Sequence, residues 1–132
     1  MFAAYRNAAS SYNQMRVESG VAGARPIDLV VMVYEGAIEA LARAATEMRN
    51  GEIDAKNRTI TRAIRIIDEG LRAPLDLSAG PIAANLADLY DYMTRRLLQG
   101  SVRNDPAMLD EVRGLLLELK SAWDEIIARG GA

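Results

Sequence analysis

Four successive segments of this chain repeat their apolar residues with the period of an α-helix, and no segment alternates with period two. That pattern leaves little room for a sheet. The first segment opens at Pro26, a residue suited to a first helical turn, and runs to about Arg49. Ile27, Val30, Val31, Tyr34, Ile38, Leu41, Ala45 and Met48 share its stripe, and Asn50-Gly51 supplies the stop. The second carries Ile60, Ala63, Ile64, Ile67 and Leu71, with Asp54 as its expected N-cap and Pro74 as its end. Gly80-Pro81 opens the third, whose stripe of Leu86, Leu89, Tyr90, Met93 and Leu97 is expected to close at Gly100. Asn104-Asp105-Pro106 combines a cap with a first-turn proline, and the fourth segment then runs through Leu109, Val112, Leu116, Leu119, Trp123 and Ile127 to Gly130-Gly131. Helices of about 18–24 residues reach about 27–36 Å, similar enough to pack along their length. The short turns after the first and third make those neighbours antiparallel. The expected fold is all-α, an antiparallel up-down-up-down four-helix bundle. It occupies residues 26–132 as one domain. Residues 1–25 are polar and glycine-broken, and read as a mobile arm with one short helix around residues 3–15.

The 132 residues suffice for a core without disulfides or metal. Aromatic residues are only 5% of the chain, so aliphatic side chains and Met must fill that core. There is no Cys and no His. Thiol chemistry, thiolate zinc sites, imidazole catalysis and the Glu-x-x-His ligands of di-iron bundles are excluded together. The net charge of −2 predicts neither nucleic acid nor an anionic membrane as partner. The N-terminus MFAAYRNAASSYNQ has no signal-peptide core, and no stretch approaches a membrane span, so a soluble cytoplasmic protein is expected. No phosphate-binding glycine loop is present. The carboxylate pairs Asp68-Glu69, Asp88 with Asp91, and Asp110-Glu111 read as solvated faces, with Asp91 and Arg95 as an intrahelical pair. No enzyme activity, cofactor or metal is expected.

What the bundle does not absorb is its surplus of apolar residues. In NLADLYDYMTRRLLQG, Tyr92 and Leu98 point about 120° from the stripe centre, on opposite sides of it. Leu29, Met32 and Val33 lie off the first stripe, with Gly36 as a flat spot beside them. Ile66 lies off the second, and Leu115, Leu117 and Ile126 widen the fourth. Tyr90 and Trp123 fall within their stripes and read as core, with the Tyr90 hydroxyl reaching the rim. A contiguous apolar patch marks an interaction surface. Leu29, Met32, Val33, Ile66, Tyr92, Leu98, Leu115 and Ile126 are its candidates. Two other readings stay open, a wide core that tucks these residues under its neighbours and a homodimer that uses the same surface. Arg58, Arg62 and Arg65 share an outer face that reads as solvated, or as a contact for an acidic partner or RNA.

Particular stretches add a resemblance. IDLVVMVYEGAIEAL (27–41), ITRAIRIIDEGL (60–71), IAANLADLYDYMTRRLLQG (82–100) and the closing ND…LDEVRGLLLEL…W (104–123) resemble the flagellar export chaperone family FliS, in order and over nearly the whole chain. LYDYM followed by RRL is the most specific part, and SSYNQMRVESGV (10–21) is similar to the family's leader. The chain departs from the family at Arg25-Pro26, where a Ser, Thr or Asn usually precedes the proline, and at Ala79-Gly80-Pro81, where Gly-Gly is common.

The resemblance implies a bacterial cytoplasmic chaperone whose client is the disordered C-terminal segment of flagellin. It would prevent premature polymerisation and escort flagellin to the large membrane component of the type III export gate. It also implies a client wrapped around the outside of the bundle and a leader that covers an empty groove. Tyr12 matches the leader's tyrosine, which docks at the gate. Monomer and homodimer both remain open.

Overall fold

The structure, a computed structural model, describes residues 26–130. The expected arm and Tyr12 lie outside the described residues. Four main helices follow one another: α1 (Pro26–Arg49), α2 (Ile53–Arg65), α3 (Pro81–Arg103) and α4 (Pro106–Ala128). A π-helical segment, Ile66–Arg72, continues α2, and a short 3-10 turn, Leu77–Ala79, precedes α3. Among the described residues there is no strand.

Each helix packs against its two neighbours around a ring, so α1 touches both α2 and α4. Contacts between helix ends mark the antiparallel sense. Arg49 at the end of α1 meets Asp110 near the start of α4 at 2.9 Å. The Lys56 Nζ at the start of α2 donates to the Ser101 carbonyl near the end of α3 at 3.0 Å. The stripes read from the sequence meet at the centre, where Tyr34, Leu41, Ile67, Leu71, Tyr90, Met93, Leu97, Leu109, Leu116 and Trp123 are all fully buried.

Several local details differ from expectation, each for a physical reason. Asp54 lies inside the first turn of α2, after the cap position taken by Glu52, so its carboxylate meets the positive end of the helix without capping it. Gly100 does not end its helix. A Cβ there would lie 2.8 Å from Leu109 Cδ1 and 2.9 Å from Met108 Cβ, so the glycine serves a close approach of α3 to α4. The helix ends instead at Asn104, which adopts the left-handed conformation with φ 52°. Asp105 then caps α4, its Oδ1 accepting the Ala107 N–H at 3.0 Å.

The π-helical segment keeps a line of core residues in place. Ala63, Ile67 and Leu71 are all buried at spacings of four. In an α-helix each such step overshoots a full turn by about 40°. The wider π turn takes back this drift and keeps Ile67 and Leu71 on the core side. Its bonding shows at the end, where the Ala73 N–H reaches the Asp68 carbonyl, five residues back, at 2.8 Å.

Candidate functional site: an apolar groove between the first two helices

The π-helical segment presents Ile66 and Gly70 toward α1, where Val33 and Gly36 face them. Ile66 Cδ1 lies 4.0 Å from where a Cβ on Gly36 would stand. At Gly70 the approach is closer, and a Cβ there would come within 2.8 Å of Val33 Cγ1. Above this seam opens a groove of about 450 Å³. Val33, Gly36, Ile66 and Gly70 line it, and Arg62, Arg65 and Glu69 form its rim. Arg65 and Glu69 stand 3.8 Å apart along that rim, a loose and exposed pair. The walls are apolar and the polarity is confined to the edge, as in grooves that accept side chains of an amphipathic segment. No group in this groove has the geometry of a nucleophile with its base.

The residues singled out from the sequence are not gathered in one place. Val33 and Ile66 share the groove. Met32, next to Val33, is 65% exposed on the outer face of α1. Leu98 is 56% exposed. It follows Asp91 by seven residues and so faces the same way. Asp91 accepts from Arg72 Nε at 3.3 Å across the helices, so this side of α3 looks toward α2 and the expected intrahelical pair with Arg95 gives way to it. Tyr92 turns to the other side, where its hydroxyl donates to Glu111 Oε2 on α4. Arg96 grips the other oxygen of that carboxylate at 2.7 Å. The Tyr92 hydrogen bond first, then Arg96, hold the Glu111 carboxyl below the usual carboxylate range. Leu115 is half-buried against the core. Leu29 and Ile126 are buried, at 8% and 1% exposure, so neither offers the bundle's outside a free surface.

Gly70 lies within the run of the second helix and is not among the residues singled out from the sequence. Its signal was available: a glycine inside a helical pattern costs stability unless packing requires it. A second, smaller groove of about 310 Å³ lies between α1 and α4. Ile38, Ala42 and Leu117 line it between the acidic Glu35 and Glu39 and the basic Arg113 and Lys120.

The described residues form an antiparallel helical bundle with a buried core and an open apolar groove. The family model for the flagellar protein FliS matches residues 8–130. A flagellar secretion chaperone FliS of Salmonella typhimurium is 47% identical over 117 residues, covering 88% of this chain and 87% of the relative. The flagellar secretion chaperone FliSB of Pseudomonas aeruginosa is 42% identical over 120 residues, 90% of this chain and 94% of that protein. A flagellar secretion chaperone FliS of Bacillus subtilis is 33% identical over 124 residues, 94% and 89% of the two chains. The chain belongs to the FliS family of flagellar secretion chaperones. Among the described residues no helix is long and apolar enough to cross a membrane.

Proposed function

We propose that this protein is a cytoplasmic export chaperone that binds the disordered C-terminal segment of flagellin, prevents its premature polymerisation and escorts it to the membrane component of the flagellar type III export gate. The observation that carries this reading is the apolar groove of Val33, Gly36, Ile66 and Gly70 on the outside of a bundle whose helical stripes meet in a buried core. Exposed Met32 beside it extends the apolar surface with an adaptable side chain. A client that is disordered when free folds onto such a surface and forfeits part of the interaction energy in ordering, which keeps the complex releasable. Sequestration by mass action requires no nucleotide. Tyr12 remains the proposed contact for the export gate. Leu98 and the Tyr92–Leu115 side of α3 and α4 are proposed as outlying contacts for a wrapped client, and buried Leu29 and Ile126 as supports beneath that surface.

Calorimetric titration with a C-terminal flagellin segment tests the proposal. Ile66→Glu should weaken binding by roughly tenfold or more, the loss of a contact of about 1.4 kcal/mol. Met32→Glu should weaken it less. Helicity should be unchanged in both. Wild-type affinity in Ile66→Glu would remove the groove from client binding.

A second reading, a homodimeric adaptor without an unfolded client, is favoured by the groove between α1 and α4. Its two walls carry opposite charge, so two copies related by a dyad along the groove would face Glu35 and Glu39 to Lys120 and Arg113. It predicts a concentration-dependent mass in light scattering and no uptake of the flagellin segment.

A further inference from the structure

Gly70 lines the groove between α1 and α2 and brings no side chain to it. We infer that Gly70 is a positioning residue for this groove: it lets Val33 lie against the π-helical segment, and any side chain at position 70 drives Val33 up into the cleft and closes it to a ligand. The inference rests on the reading of this groove as a docking site and names the residue that keeps it open.

Three constraints converge on position 70. A Cβ there would lie 2.8 Å from Val33 Cγ1 and 3.7 Å from Cγ2, so something must move. The π-helical segment cannot rotate to relieve the clash, because Ile67 and Leu71 on either side of Gly70 are both fully buried. Val33 cannot swing inward either. It is β-branched, with one strongly preferred rotamer in a helix, and its neighbours Val30, Tyr34 and Ala37 on the core side are fully buried. The space left is the groove that Val33 already lines. Gly36 is a different case, since a Cβ there would meet Ile66 Cδ1 at an ordinary 4.0 Å.

The test is a double-mutant cycle of Gly70→Ala with Val33→Ala, in the full chain. One probe is the anionic apolar dye anilinonaphthalene sulfonate, whose rings suit the floor and whose sulfonate suits Arg62 and Arg65. The other is the C-terminal flagellin segment. Gly70→Ala should weaken both by about fivefold or more in the wild-type background, and by less than about twofold in the Val33→Ala background. Thermal unfolding separates this from a propensity effect. Alanine is the better helix former, so the substitution should raise Tm only where Val33 has been trimmed. An equal loss in both backgrounds, or no loss in either, overturns the proposal. So does a wild-type protein that takes up neither the dye nor the segment. If wild type and Gly70→Ala bind the flagellin segment equally, Gly70 loses its role while the docking function stands. If the dye follows the cycle and the segment does not bind, Gly70 keeps its role and the docking reading falls.

Discussion

At the scale of single residues, the polar groups inside the bundle are the most constrained. Tyr34 and Tyr90 are fully buried, and their hydroxyls lie 2.5 Å apart. Burial first, and the neighbouring Tyr90 second, push the Tyr34 hydroxyl well above its usual pKa, with the Trp123 indole acting in the opposite sense. Removing one partner of a buried hydrogen bond costs more than removing both. Tyr34→Phe should therefore lose about 1–3 kcal/mol, and Tyr34→Phe with Tyr90→Phe should lose less than the sum, as read by urea denaturation. Stripe position identified Tyr90 as core but placed its hydroxyl at the rim. The partner that draws it inward is 56 residues away along the chain. Tyr92 makes the same point on the outside, where Glu111 holds its hydroxyl. The folded state lowers the Glu111 pKa, so the stabilisation is present above the ordinary value of 4.5 and is lost as pH falls through the lowered one. Tyr92→Phe should move the Glu111 titration back up toward the ordinary value. An NMR titration of the Glu111 carboxyl checks this, and an unmoved curve would contradict the hydrogen bond.

At the scale of elements, the ends of helices and the glycines within them behave differently. Asn104-Asp105-Pro106 was legible as a helix start because capping is local chemistry, and Asp105 does cap α4. Asp105→Ala should cost about 1 kcal/mol in chemical denaturation. Gly100 and Gly70 were not legible in the same way. A glycine that stops a helix and a glycine that lets two helices touch look identical in one dimension. Gly100→Ala would press a Cβ against Leu109 and Met108, both buried at the α3–α4 seam. It should destabilise by about 1–3 kcal/mol despite the better helix propensity of alanine. A gain in stability would show that the seam relaxes. The π-helical segment belongs to this scale too. Its buried residues Ala63, Ile67 and Leu71 are spaced by fours, but so are Ala37, Leu41 and Ala45 in α1 and Met108, Val112 and Leu116 in α4, which stay α-helical, so the spacing does not distinguish the two.

At the scale of the whole molecule, a client that binds only the folded bundle must stabilise it. A flagellin C-terminal segment at about one hundred times its Kd should add about 2.7 kcal/mol to unfolding and raise Tm in a concentration-dependent way. Burial of apolar surface should give a negative heat-capacity change on binding. Salt dependence should be shallow, because the groove is apolar and its charges sit on the rim. A steep salt dependence would instead point to Arg58, Arg62 and Arg65 as the binding surface. The chain read in one dimension sufficed for the fold class, the four helices, the inward stripes and the family, because periodicity, capping and motif order are properties of neighbours along the chain. It also showed that apolar residues were left over. The packing of the helices settles where that surplus goes. It buries Leu29 and Ile126, leaves Met32 and Leu98 outside, and turns Tyr92 to α4. It joins Val33 to Ile66 across a seam that Gly70 permits. The exposure of a side chain on one helix depends on how closely the next helix approaches, and that distance is set by residues far away in sequence.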